Sequence, residues 1–294
     1  MLPLVAWLSA CGDPSTSKSG GAADPTLVSI QVKPAAVTIA QGSTCQYIAT
    51  GTFSDNSTQN LSSTVKWSSA AGSVATVSST GMATAVASGT SSVQASYYLM
   101  ASNAASLAVT SVPAIFTASP TLTNSPNTDA PLVGLLHVAT SRPARITLDV
   151  TDGVDSWTLP FSSYQTGYDG PVVGFRSGSL HIVQVSVTDQ SGNTSQYPGC
   201  FSLTTPALPP NMPTMSVAVS NPAAMEPGLT LVEPSTLAGQ YLAALDATGH
   251  IVWHYKSSSV AGQMVDARRL ANGNLTFIVN NGRANHFMEI TPAG

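Results

Sequence analysis

Side chains able to do chemistry are sparse and scattered in this sequence. Asp266 and Arg268 stand close together, His286 follows a Gly-Arg-Ala-Asn loop, and His250 and His254 flank Trp253. A carboxylate beside a guanidinium reads as a salt-bridge or turn pair before it reads as a ligand set. Two histidines alternating about a tryptophan predict the solvent-facing side of a strand. Asp149, Asp152 and Asp155 lack the spacing of an EF-hand calcium loop and read as turn and strand-edge residues. There is no Walker loop, G-x-S-x-G elbow, H-E-x-x-H helix or dinucleotide fingerprint, and no paired Cys/His spacing suited to a metal. The sequence thus predicts no metal and no cofactor, and any chemistry has to come from residues that the fold brings together.

The three cysteines point to setting more than to catalysis. Leu8-Ser9-Ala10-Cys11 follows the apolar run Leu2 to Leu8 and resembles the bacterial lipobox, in which the cysteine is lipidated and becomes the new N-terminus. That resemblance implies a signal segment over residues 1–11, a membrane partner reached through a lipid anchor at Cys11, and an extracytoplasmic location for the rest. Residues 12–26 then read as a flexible Ser/Gly tether. Cys45 and Cys200 could bridge in an oxidising compartment, but they lie far apart at inward-looking strand positions of separate domains, which favours two buried free thiols over a disulfide.

Composition agrees with export. Charged residues make up 8% of the chain, against roughly 25% in an average soluble protein, so its surface is built from Ser, Thr, Asn, Gln and Gly. The net charge of −4 provides no basic footprint for nucleic acid. No other stretch approaches the roughly 18 apolar residues of a membrane-spanning helix.

The elements that would position any site are strands. Between residues 27 and 111, short alternating runs such as VSIQVKP, TVKWSSA and SSVQASYY recur with Gly, Ser, Asn and Asp between them, at roughly the 8 to 12 residue spacing of a sandwich. Gly42, Trp67-Ser68-Ser69, Val74-Ala75-Thr76-Val77, Gly81 and Gly89-Thr90 carry a resemblance to the bacterial Ig-like group 2 module. Trp67 suits the core of a thin sandwich, and Gly81 and Gly89 suit turns that need positive φ. Such a module is implied to space or adhere and to carry no chemistry. A second Ig-like sandwich is expected over residues 113–205, followed by the Pro-rich segment 206–213, read as a stiff linker.

From residue 214 the chain repeats itself. Leu229-Thr230-Leu231-Val232 is echoed by Leu275-Thr276-Phe277-Ile278 at an offset of 46, and Leu245 to Gly249 by Ile290 to Gly294 at an offset of 45. A period near 45 suits a four-stranded propeller blade, and propellers close with roughly four to eight blades. The overall expectation is an all-β chain: two Ig-like β-sandwiches followed by the first one-and-a-half blades of a truncated β-propeller, a fragment of a longer protein.

Taken together, VVGFRSGSLHIVQVSVTDQSGNTS, the D-x-x-G-x-I-V-W hairpin at Asp246 and the L-x-N-G-N-L turn at Leu270 to Leu275 resemble the start of the arylsulfate sulfotransferase family over about residues 113–294. The resemblance implies sulfuryl transfer from a phenolic sulfate to a phenol through a channel histidine, without a nucleotide cofactor. A neutral imidazole is a good nucleophile near neutral pH, and Arg, His and Asn can stabilise the sulfuryl oxygens. The sequence departs from that pattern at Gln263-Met264-Val265-Asp266, where Met and Val stand in place of the expected histidine. His286, Asp266 and Arg268 remain as weak catalytic candidates. Two functions follow: the N-terminal piece of a surface-anchored sulfotransferase-like enzyme, inactive by itself, or a non-catalytic surface binding or adhesion protein that uses the same repeat as a platform.

Overall fold

The computed structural model describes residues 24–110, 113, 115–213, 215, 228–236, 239–257 and 262–294; Cys11 lies outside them. Among these residues the chain is all-β, with 26 strands and no helix.

The strand Leu27–Lys33 shows the local rule, with Ile30 and Val32 buried and Ser29 and Gln31 exposed. Side chains alternate across a pleated strand, so this spacing buries one face only. The strand pairs antiparallel with Ile48–Phe53, which pairs with Thr58–Asn60. The opposite layer is built on Gly89–Tyr97, flanked by Lys66–Ser69 on one edge and Ala105–Thr110 on the other, and Ala36–Ala40 runs parallel to the last of these. A small sheet of Thr44–Gln46, Met82–Ala85 and Ala75–Val77 closes one side. Trp67 plugs the shared core, and its Nε1–H donates to the Ser62 carbonyl at 2.8 Å. Gly81 lies against that ring at φ +85°; a Cβ there would come 2.6 Å from Trp67 Cζ2.

The second unit obtains its opposed layers from one seven-stranded sheet curled into a half-barrel. Its spine is the 18-residue strand Gly134–Thr151. The first half of the spine pairs with Thr121–Asn124 and Gln165–Val172, and the second half with Ser156–Pro160 and Leu180–Asp189. The register breaks between Ala139 and Ala144, where Pro143 cannot donate to a ladder. The two halves close over Leu136, Val138, Ile146, Leu148, Val183 and Val185.

These two units are covalently joined. Cys45 and Cys200 form a disulfide with Cα atoms 5.0 Å apart, which corrects the expectation of two free thiols. The cause is tertiary. Ile182 of the second unit is buried in the first unit's core, with Cys200 packed beside it. The Ala40 N–H donates to the Pro198 carbonyl at 2.6 Å, and Thr50 Oγ1 donates to the Gly153 carbonyl at 2.7 Å.

Residues 206–213, read from sequence as a linker, lie against the following sheet. Met212 is buried with Tyr241 and Ala243, and the Tyr241 hydroxyl donates to Asn211 Oδ1 at 3.0 Å. That sheet consists of Thr230–Val232, Leu242–Leu245 and Ile251–Tyr255, and the next of Gln263–Arg269, Leu275–Asn280 and Asn285–Ile290. Thr230 opposes Leu245 and Leu275 opposes Ile290, and both residues shift by 45 between the sheets (275 − 230 and 290 − 245). The pairing therefore replaces the 46-residue offset of the first strand with one period of 45. The turn glycines Gly249 and Gly294 keep that phase, at φ +88° and +93°.

Candidate functional site

The structure does not gather the residues singled out for chemistry. Asp266 sits in a bulge of Gln263–Arg269 with φ +55°, a backbone that non-glycine residues rarely adopt. Arg268 turns back onto it, with Nη2 2.8 Å and Nε 2.9 Å from Asp266 Oδ1, and both side chains are exposed. This is the salt-bridge and turn role read from the sequence. His286 lies on the far strand of the same sheet, opposite Val279, and its Nε2 is 3.4 Å from Asn281 Nδ2 at the surface. Leu275–Asn280 runs between the two outer strands, which separates them by two strand spacings, roughly 10 Å.

His250 and His254 do not share one solvent-facing side. His250 is half-exposed in a turn, with Nδ1 2.7 Å from Thr248 Oγ1. His254 is 3% exposed, which corrects the sequence reading. All five residues of Ile251–Tyr255 are buried, because the strand is covered on both faces. Trp253 and Tyr255 face the second C-terminal sheet, while His254 opposes Ala243 on the other face and meets the Tyr241 ring edge-on at 6.0 Å. Neither ring nitrogen of His254 has a hydrogen-bond partner, and burial lowers its pKa to about 4.

A cluster that the sequence reading missed joins the half-barrel to the repeat. Arg176, 8% exposed, directs Nη1 at Asp155 Oδ2 (2.5 Å) and Asp152 Oδ2 (3.3 Å), and Nε at Asp246 Oδ2 (3.3 Å). Its guanidinium carbon lies 4.6 Å from the Trp157 ring centroid, within cation–π range. Asp152 and Asp155 come from the turn between Gly134–Thr151 and Ser156–Pro160, and Asp246 from the turn after Leu242–Leu245. Burial works against the Arg176 charge, but Asp155, Asp246 and Asp152 outweigh it and raise the pKa. Burial likewise opposes the Asp246 carboxylate; donation from Thr248 and His250 and the Arg176 charge still hold it below the usual range. An arginine occupied by three carboxylates is an electrostatic clamp and presents no open anion site. The signal in sequence was an arginine inside the apolar run VVGFRSG of a chain with few charges. Asp149, which the sequence grouped with these acids, is not among the Arg176 partners; it lies mid-strand opposite Thr158 and Gln184.

Behind the clamp, His181 is fully buried against the Trp157 and Phe175 rings, with Nδ1 3.3 Å from the Leu203 carbonyl. Burial lowers its pKa. Groups of three or more His, Cys, Asp or Glu able to hold a metal do not occur among the described residues, and no helix among them is long and apolar enough to cross a membrane.

Residues 27–96 match the bacterial Ig-like domain (group 2). Over 71 residues the chain is 48% identical to Ice-binding protein 1 of Shewanella frigidimarina (strain NCIMB 400); the match covers 24% of this chain and spans only 8% of that protein. Among solved structures, domains 5-6 of the S-layer protein SbsC align at 11% identity and TM-score 0.30, covering 91% of this chain and 97% of that one. The Yersinia pseudotuberculosis adhesin InvE aligns at 12% identity and TM-score 0.19, covering 90% and 78%.

Proposed function

We propose that this chain is a non-catalytic, extracytoplasmic surface protein. In this reading the Ig-like module and the half-barrel form one disulfide-clamped stalk that presents the C-terminal repeat as a binding or adhesion platform. The observation that carries the reading is the Cys45–Cys200 disulfide between the two units. Disulfides persist in oxidising, exported settings and are rare in the cytosol. The Ig-like segment supports it, as does a surface with few charges. A lipid anchor at Cys11 completes the proposal. The test is to express the chain with its own N-terminus in a bacterium, treat intact cells with protease and titrate free thiols in the envelope fraction. Protease-accessible protein with Cys45 and Cys200 unreactive is expected. A cytosolic, fully reduced pool sinks the reading, and a Cys11→Ser variant that stays with the membranes removes the anchor from it.

The sulfuryl-transfer reading rests on the resemblance carried by the hairpin at Asp246 and the turn at Leu270 to Leu275, and a propeller is the fold it implies. Against it stand the separation of His286 from Asp266, the mutual pairing of Asp266 and Arg268, and Met264 buried where that chemistry wants a histidine.

A further inference from the structure

With the period fixed at 45, the two C-terminal sheets are stacked head to tail. In the first sheet, Leu242 and Ala244 share a face with Trp253 and Tyr255, and that face forms one core with Leu275, Phe277, Val279 and Ile290 of the second. The counterparts of Leu242 and Ala244, 45 residues on, are Phe287 and Glu289. These lie on the opposite, outer face of the second sheet, beside Ile278 and Thr276. Conversely, the counterparts of Phe277, Met288 and Ile290 are Val232, Ala243 and Leu245, which line the far side of the first sheet. Each sheet thus presents one face to the opposite face of the next. Such a contact is heterologous, and one step of it does not close.

The outer face of the second sheet has the make-up of a contact surface. Val265, Ile278 and Phe287 oppose one another across three strands and form an apolar row. Phe287 is 72% exposed, where its counterpart Leu242 is 0% exposed. Gln263, Asn280 and Asn285 border the row at one end, and Arg268 and Glu289 at the other, with Glu289 Oε1 accepting from Asn274 Nδ2 at 2.7 Å. An apolar centre with a polar rim is the usual anatomy of an interface.

We propose that the face carrying Val265, Ile278 and Phe287 docks a further sheet of the same 45-residue repeat, presented through the counterparts of Leu275, Phe277, Met288 and Ile290. The occupant follows from the stacking, because that complement already covers the equivalent face of the first sheet. A second copy of this chain brings no free complement. Its own two complementary faces are covered, one by the first sheet and the other by Leu132, Leu208 and Met212.

The test appends residues 250–294 once more after Gly294, so that the repeat continues in phase. Val265→Cys is introduced into this extended chain and into the 294-residue chain, both carrying Cys11→Ser, and maleimide labelling rates are compared. Labelling at least tenfold slower in the extended chain is expected, with Phe287→Asp restoring the rate. Equal rates with a protease-resistant appended copy overturn the proposal, and so does an appended copy that stays protease-sensitive. A 294-residue chain that sediments as a dimer and becomes monomeric with Phe287→Asp overturns it as well, because the face then pairs with itself.

Discussion

Cys45 and Cys200, separated by 155 residues in sequence, have Cα atoms 5.0 Å apart and are joined by a disulfide that locks the Ig-like module onto the half-barrel. Closing so long a loop restricts the unfolded chain strongly, so Cys45→Ala with Cys200→Ala should cost about 3 kcal/mol, within the usual span for a native bridge. Guanidinium melts of the oxidised, reduced and doubly substituted protein measure it. The reduced and substituted forms should melt alike, and a shared midpoint for all three would show that the bridge holds nothing together.

Trp67 and Gly81 form a ring-and-backbone contact at the centre of the first unit. Trp67→Ala should cost roughly 3–5 kcal/mol, as for other truncated buried aromatics. Gly81→Ala should destabilise too, because it places a Cβ against the ring at a positive φ. In the double variant the second change should cost less, since removing the ring removes the clash. Urea denaturation of the four forms gives the coupling directly.

Below neutral pH the chain should lose stability through its buried histidines. The pKa of His254 falls from the ordinary 6.5 to about 4 on folding. The unfolded state therefore binds the proton first, so the contribution is fully present above about pH 6.5 and is lost as pH falls toward 4. The loss amounts to about 3 kcal/mol at the acid end. His181 shifts in the same direction. The urea midpoint should fall between pH 7 and 4.5, and His254→Leu should flatten part of that slope. An unchanged slope would show that His254 is not buried as described.

Replacing Arg176 should uncouple the half-barrel from the repeat. Arg176→Met leaves Asp152, Asp155 and Asp246 without their common cation, and stranding buried carboxylates typically costs about 3–5 kcal/mol. Since Asp155 is exposed and Asp152 and Asp246 are only part-buried, the cost should fall below that range, at about 1–2 kcal/mol. Arg176→Lys should fall between, because it keeps the charge but loses the fork. The deficit should shrink as pH drops and Asp246 protonates. Hydrogen exchange in Leu242–Leu245 and Ile251–Tyr255 should rise selectively in Arg176→Met.

Incubated with a chromogenic aryl sulfate and a phenol acceptor, the 294-residue chain should release no phenol. Proximity supplies much of the rate in such transfers, and His286 lies on a different outer strand from the Asp266–Arg268 pair. Turnover that disappears with His286→Ala would overturn the surface-protein reading.

Strand alternation in VSIQVK, the Trp67 plug and the positive-φ glycines Gly81 and Gly89 were legible in the sequence, because each is fixed by neighbours within one module. The repeat was legible too, but its period was settled only when Thr230 was seen opposite Leu245, since a one-residue slip exchanges the two faces of every strand. The Cys45–Cys200 bridge, the burial of His254 and the Arg176 clamp were not legible. Each depends on where one unit rests on another: Ile182 in the first core, a second layer over Ile251–Tyr255, and two turns meeting at one guanidinium. Sequence by itself determined the strands, the Ig-like module and the repeat, because alternation and turn chemistry act over a few residues. Tertiary structure alone decided which thiols, histidines and charges are buried together, because burial is set by the packing of segments far apart along the chain.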